Sequence, residues 1–427
     1  MNAAIILIVS FLVMIFLRIP ISFSLLFSSF LTIFYLGLPP MIALQRMADP
    51  LDNMSMMAIP FFILAGKIMA DSGISRRIIN FANILVGRVR GGLAFVNIVA
   101  SMLFGGMSGS SVADTASIGS ILIPEMEKKG YDRDYSIAVT VTSSTEGLII
   151  PPSHNAIIYA QAAGGVSIAS LFLAGAIPGI MVGLGLMLPA YIIAVRKKYP
   201  KGNPPKGKAA LKVALDSIWG LMTIVIIIGG VLSGIFTATE SAVIAVVYAL
   251  LVATFVYREL TVTKFLKIMR ETLETTIAVL FLIGTASAFG WLLAYLNIPE
   301  LVANTILNIS SNKYVILLII NAVLLLLGMI MDMAPLIVIT TPIFLPLAVD
   351  LGISPIHFGI ILMVNLGIGL CTPPVGNTLF VGTIVGKSTI ENVFKAMWPF
   401  YLAMIGILLL VTYIPFFAEW LPSLLSF

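Results

Sequence analysis

Seven pairs of residues recur at one spacing. Pro124 and Pro346 lie 222 positions apart, as do Gly106 and Gly328, Gly130 and Gly352, Pro151 and Pro373, Pro152 and Pro374, Asn155 and Asn377, and Phe172 and Phe394. The spacing holds without a gap for roughly seventy residues, which marks an internal duplication. Whatever the first copy folds into, the second must be able to fold into as well.

The solvent of those two copies follows from composition. The chain is 59% hydrophobic and only 10% charged, with mean hydropathy +1.10. A soluble domain is nearer 45–50% apolar and about 25% charged. These figures exclude an ordinary soluble enzyme, a disordered chain and a nucleic-acid binder. The apolar stretches show no alternation, which argues against a β-barrel. The expected class is an all-α polytopic membrane protein of about 11 spanning helices, lodged in a bilayer. A single cysteine, Cys371, excludes a disulfide framework, and two histidines, His154 and His357, leave little for zinc.

Basic residues set the orientation, because Lys and Arg favour the cytoplasmic side. Residues 1–17 are apolar without a positive leader, so they read as a first helix that stays. Arg18 at its far end predicts a periplasmic N-terminus. The runs Arg196–Lys212 and Arg258–Arg270 are expected to be cytoplasmic, and the 213–257 stretch between them has room for two spans broken near Gly234. Arg76, Arg77, Arg88 and Arg90 form a third cluster, and Lys128, Lys129 and Arg133 a fourth. The last two flank 91–124, which is almost uncharged and too short for two spans of about 20 residues each. It therefore goes in and returns as a re-entrant hairpin. Its first arm, 92–106, is expected to be about 22 Å long. Its tip, 105–111, is small and polar, and such backbone survives at membrane depth only when buried in protein or lining a cavity.

The 222-residue offset maps this hairpin onto 314–349, with a tip at 328–335. The copy has only Lys313 at one flank and Asp350 at the other, so it is expected to enter from outside. Inverted repeats of this kind recur in secondary transporters. A long apolar segment follows each hairpin and is broken at its centre. In 134–165 the break contains Pro151-Pro152-Ser153-His154-Asn155, and in 355–386 it contains Thr372-Pro373-Pro374-Val375-Gly376-Asn377. Paired prolines stop a helix. Freed carbonyls and hydroxyls suit a cation, and half-helix N-termini suit an anion.

These motifs resemble the large membrane subunit of the tripartite ATP-independent periplasmic (TRAP) transporters. The resemblance is carried by 105–111 with Ala113-Asp114, Ile123-Pro124, Gly130-Tyr131, Ile150-Pro151-Pro152-Ser153, 234–240, Met331-Asp332 and 372–376, and it spans nearly the whole chain. It implies a sodium-driven elevator transporter for organic acids in the bacterial inner membrane. A four-helix small membrane subunit and a periplasmic substrate-binding protein would be its partners. It also implies scaffold helices in 1–90 and 196–313, with the moving transport domain in 91–195 and 314–427. Members resembling C4-dicarboxylate carriers usually lack the His154-Asn155 pair found here, whereas relatives resembling sugar-acid carriers, sialic acid included, have it. The substrate expected is therefore a sugar acid, with a C4-dicarboxylate as the alternative. Thr237-Ala238-Thr239-Glu240 departs slightly from the commoner Thr-Pro-Thr-Glu.

Two sodium sites are expected from Ser108, Gly109, Ser110, Ser111, Ser153 and Asn155 in the first repeat, and from Gly328, Asp332, Thr372, Gly376 and Asn377 in the second. Hard cations take oxygen ligands. The plainer reading of the serines is a tight turn, and that of the residues at the breaks is capping. Ser110, Asp114, Glu146, His154 and Asp332 are the substrate candidates. Asp332 is an intramembrane acid and so a functional candidate by default. Asp114 serves the site or caps an arm; Glu146 couples ions or pairs with a neighbour; His154 meets substrate or hydrogen-bonds the break. Thr237 and Glu240 read as a capping box, and Cys371 as a small buried residue. The 382–388 segment is no phosphate loop, having three residues rather than four between its glycines. An intramembrane aspartyl protease is not supported, because Asp132 lies in a charged loop. A re-entrant-loop channel is the remaining alternative.

Overall fold

The computed structural model describes residues 2–424. Met1 and 425–427, the outer ends of the first and last expected segments, lie outside the described residues. The described chain is helical; its one β-like feature is an isolated bridge between Arg90 and Lys201. Seven helices are long and apolar enough to cross a bilayer, and six further apolar helices are shorter. One of the seven, Met333–Asp350, is a hairpin arm, so length alone does not yield the expected count of about eleven spans.

The first hairpin has arms Gly92–Ser108 and Ser111–Lys128. At 17 and 18 residues they are about 26 and 27 Å long, a few ångströms beyond the expected first arm. The helix runs on through Ser108 because Gly109, in the left-handed conformation at φ +61°, closes it only there. Both outer ends of this hairpin sit at the same end of the molecule. The Gly91 N–H donates to the Pro200 carbonyl at 3.1 Å, and the Leu93 N–H to the Tyr131 hydroxyl at 3.4 Å. The basic clusters gather there too. Arg77 pairs with Asp216 and Glu259 at 3.1 and 2.9 Å, and Lys197 pairs with Asp132.

The second hairpin, Lys313–Gly328 and Met333–Asp350, starts and ends at the opposite end. There the Tyr413 hydroxyl donates to the Tyr314 carbonyl at 3.0 Å, and the Ser354 hydroxyl meets Glu419. The two hairpins thus enter from opposite ends, as the flanking charges predict.

Both long segments are broken where the prolines fall. The first consists of Arg133–Ser144, a short 3-10 turn Thr145–Leu148, and His154–Ala162. The second consists of Pro355–Leu370 and Asn377–Gly386. Both Pro-Pro bonds are cis. The first halves form the core of the fold: every residue of 135–144 and of 357–370 is buried. Each first half packs on its own hairpin, and each second half packs on the second arm of the other hairpin. The two repeats are therefore interlocked rather than side by side.

The remaining helices flank this unit. Lys208–Leu232 and Ala238–Leu251 occupy the stretch expected to hold two spans. The second begins with a complete capping box, the Thr237 hydroxyl accepting from the Glu240 N–H and the Glu240 carboxylate accepting from the Thr237 N–H. Two further flanking helices, Ala58–Asp71 and Val262–Tyr295, pack on each other and bear one wall of the cavity described next.

Candidate functional site

The two hairpin tips meet at a cavity of about 350 Å³. The first tip lines it with Ser108, Gly109, Ser110, Ser111, Val112 and Ala113, and the second with Asp332, Met333 and Ala334. His154 and Asn155 come from the first break, and Leu370 from the edge of the second. The opposite wall belongs to the flanking helices, through Ile63, Gly66, Lys67, Ala70, Thr275 and Val279.

Three helix N-termini point into this space, at Ser111, Met333 and His154. Two carry side-chain caps. The Ser110 hydroxyl accepts from the Ala113 N–H at 3.3 Å, and the Asp332 carboxylate accepts from the Met333 N–H at 2.8 Å. The third does not. Ser153, at its N-cap position, instead donates its hydroxyl to the Leu148 carbonyl at 2.6 Å. The first-turn N–H groups at His154 therefore have no side-chain cap and present the positive end of a helix dipole to the cavity.

The first-repeat oxygens lie together. Ser108 donates to the Asp114 carboxylate, and its hydroxyl accepts from the Ser110 N–H at 3.2 Å. The Asn155 side-chain amide donates to the Gly109 carbonyl at 3.4 Å. It is Ser110, not Asp114, that caps the second arm. Asp114 is fully buried, and its second carboxylate oxygen has no hydrogen-bond partner. That orphaned oxygen, beside the Ser108 hydroxyl, is a donor set of the kind a hard cation takes. The Ser111 hydroxyl lies 2.7 Å from that of Thr378, tying the first tip to the second broken helix.

In the second repeat the break approaches the hairpin through backbone. The Val375 and Gly376 N–H groups donate to the Met329 carbonyl at 3.1 and 3.4 Å. The Thr372 hydroxyl donates to the Ile368 carbonyl at 2.7 Å, and Gly328 is packed against Gly369. Thr372, Gly376 and Asn377 thus sit at the second break beside the hairpin, off the cavity wall, while Asp332 is on it. Glu146 is fully buried with both carboxylate oxygens unpartnered, and neither it nor Asp114 reaches the cavity surface. Among the described residues, no group of three or more His, Cys, Asp or Glu side chains is arranged to hold a metal.

Sequence reasoning missed the cavity's outer wall. Lys67 stands in a helix whose only other charge is its terminal Asp71, and an intramembrane cation is a signal in its own right. It lies outside both repeats, and its partner is far along the chain. Glu271, which Lys67 faces at 3.6 Å, was hidden among the charges at the start of its helix. His154 packs against the Gly109 backbone, so it contacts the first tip and lines the cavity at once. Cys371 is buried, its thiol directed at the Ile368 carbonyl 3.1 Å away.

Comparison with known proteins fits this architecture. Residues 8–417 match the family described as "Tripartite ATP-independent periplasmic transporter, DctM component". The chain is 40% identical to the C4-dicarboxylate TRAP transporter large permease protein of Pseudomonas aeruginosa, covering 89% of each chain. It is 38% identical to the sialic acid TRAP transporter large permease protein of Vibrio cholerae, covering 96% of each. The YdaH transporter structure from Alcanivorax borkumensis superposes with a TM-score of 0.66 at 16% identity, over 89% of this chain and 88% of that one, a likeness of fold. The chain therefore belongs to the tripartite ATP-independent periplasmic transporter family, as its large membrane permease subunit.

Proposed function

We propose that this permease imports an organic acid by sodium symport, receiving it from a periplasmic binding protein and working beside a small membrane subunit. The observation that carries this reading is the convergence of three helix N-termini, one without a side-chain cap, on a cavity between two re-entrant tips. A carboxylate is the natural occupant of such a place. The oxygen-rich groups behind the tips supply the cation side. Ser108, Gly109, Ser110, Asp114 and Asn155 would serve one ion, and the Met329 carbonyl, Thr372, Gly376 and Asp332 the other.

An elevator motion, with the hairpins and broken helices sliding against the flanking helices, is supported by how these two parts meet. Apart from the tether at the basic end, where Lys197 and Tyr199 meet Asp132, Asn53 and Gln161 form the one side-chain hydrogen bond between them among the described residues, at 2.8 Å. Elsewhere the contact is apolar, as where Phe62 meets Phe172 edge-on at 6.4 Å. An interface with few directional bonds offers little resistance to sliding. For the substrate, His154 and Asn155 on the cavity wall support a sugar acid, whose hydroxyls they can meet. The 40% identity to a C4-dicarboxylate permease supports the smaller acid equally.

Uptake by proteoliposomes that contain this chain, the small subunit and the binding protein tests the reading. Accumulation of labelled sialic acid or succinate driven by a sodium gradient is expected. Uptake that is unchanged when potassium replaces sodium would refute the coupling, and uptake of neither acid would refute the substrate class.

A further inference from the structure

Lys67 is the one Lys or Arg among the residues that line the cavity. It belongs to the wall formed by the flanking helices, not to the hairpins. Its partner is Glu271 on the neighbouring helix, at 3.6 Å. That distance is well beyond a charge-assisted hydrogen bond of about 2.7–2.9 Å, so the pair is loose. Glu271 also has a second cation, Lys267, at 3.6 Å. Losing Lys67 would not leave it alone. The lysine is thus held near the cavity by a carboxylate that can release it cheaply, opposite helix ends suited to an anion.

The location of the pair gives it a direction. Lys67 is in the last turns of Ala58–Asp71, shortly before Arg76 and Arg77, and Glu271 follows Lys267 and Arg270. The cavity therefore has its cationic wall towards the basic end, which the distribution of Lys and Arg assigns to the cytoplasm.

We propose that Lys67 receives the carboxylate of the transported acid on the cytoplasmic side, and that Glu271 takes the lysine back when the acid leaves. This rests on the organic-acid reading above. The step is an exchange of counter-ions: the incoming carboxylate replaces Glu271 on the Lys67 ammonium group, and Glu271 keeps Lys267 as its cation. It places a specificity element on the static part of the protein, where it meets the substrate only when the tips stand level with Ala58–Asp71. A neutral solute lacks the group that displaces Glu271.

Exchange from preloaded proteoliposomes tests this, with labelled sialic acid and labelled succinate as the two probes. The quantity read is the half-saturating internal concentration. Lys67→Met is expected to raise it about tenfold or more and to leave the external half-saturation for uptake near the original. Glu271→Gln removes the competitor and is expected to lower the internal value or leave it unchanged. A purely structural ion pair predicts otherwise: both variants would lose rate or expression together with the internal half-saturation constant. That parallel loss, or an unmoved constant in Lys67→Met, overturns the proposal. If Lys67→Met does not fold, Lys67→Arg and Glu271→Gln decide alone, since the proposal requires Glu271→Gln not to weaken internal binding. Failure of the original protein to exchange either acid would instead refute the organic-acid reading.

Discussion

Set side by side, the two repeats share their joints and differ in their chemistry. Asp132 pairs with Lys197 at the basic end, and Ser354 meets Glu419 at the other end. Both members of the second pair lie 222 positions beyond those of the first. The duplication therefore extends to tertiary contacts well past the residues that revealed it. The joint carries a lysine at one end of the molecule and a glutamate at the other. A second joint is backbone against backbone: Gly147 packs on Gly105, and its counterpart Gly369 packs on Gly328, one position beyond the counterpart of Gly105. The buried acids are not shared. Asp114 and Glu146 correspond to Leu336 and Ile368, and the Ser110 cap corresponds to Asp332. Duplication has kept the skeleton, and the ligand chemistry is divided unequally across it.

The sharpest way to break that comparison is at the two caps. Asp332→Ala removes a charge and a 2.8 Å bond to the Met333 N–H. It is expected to cut sodium-dependent uptake roughly ten- to a hundredfold, from about 1.5–3 kcal/mol for a bond to a charged group. Ser110→Ala removes a neutral 3.3 Å cap and is expected to cost less, about fivefold. Asp332→Asn separates the two roles of the acid, since asparagine caps as well as aspartate. Uptake by Asp332→Asn as low as by Asp332→Ala assigns the loss to the charge. Equal and small losses at both caps would make the tips equivalent and remove the asymmetry.

The glycine joints should behave alike. A Cβ at Gly369 would stand 2.6 Å from the Gly328 Cα, and one at Gly147 would run into Gly105. Neither partner is the end of a flexible side chain, so the backbone itself must shift. Gly147→Ala and Gly369→Ala are each expected to destabilise the purified protein by about 1–3 kcal/mol, the cost of overpacking. Thermal unfolding in detergent reads this directly. A large loss in one and none in the other would show that only one hairpin is braced by its broken helix.

The joint at the basic end also responds to pH. The hydrogen bond from Lys197 holds the Asp132 carboxyl below its ordinary value of 3.8. The folded value is the lower one, so this tether stabilises fully above the ordinary carboxylate range and is lost as pH falls through the folded value. The group is about half exposed, so the effect is small. Unfolding temperature measured from pH 7 to pH 3 should fall slightly more in the original protein than in Asp132→Asn. Identical curves would mean that the Asp132–Lys197 contact carries no stability.

Much of this was legible in the sequence, for a physical reason. Paired prolines stop a helix and loop charges report sidedness, so both breaks could be read from 151–152 and 373–374 and the inverted hairpins from their flanking charges, whereas the single prolines Pro124 and Pro346 stand inside intact hairpin arms. The joints Asp132–Lys197 and Ser354–Glu419 could not, because a contact across 65 residues depends on how the helices pack. The site was legible in part. Ser108, Ser110, His154, Asn155 and Asp332 do line one cavity, since small polar residues in an apolar stretch must face something polar. Asp114 and Glu146 were grouped with them by nearness in sequence, yet both sit behind the cavity wall. Lys67 was overlooked because its partner Glu271 lies about two hundred residues away.

The smallest expected effect lies where the first repeat alone holds a polar grip on the flanking helices. Gln161, in the second half of the first broken helix, accepts a hydrogen bond from the Asn53 side chain at 2.8 Å. The second repeat offers no counterpart: its arm Met333–Asp350 meets Val262–Tyr295, and among the described residues no side-chain hydrogen bond joins the two. A single exposed hydrogen bond is worth about 1 kcal/mol net. If the hairpin unit slides as proposed, Asn53→Ala shifts the balance between its two arrangements by no more than about fivefold. The sign is set by which arrangement makes the bond. It is made here, with the cavity open to the Lys67 wall, so its loss should favour the opposite arrangement. A cysteine pair at positions 53 and 161 would read the population: cross-linking should be efficient without substrate and arrest uptake until reduced. Uptake that continues while the link is intact would mean that the first repeat does not move past Asn53 at all.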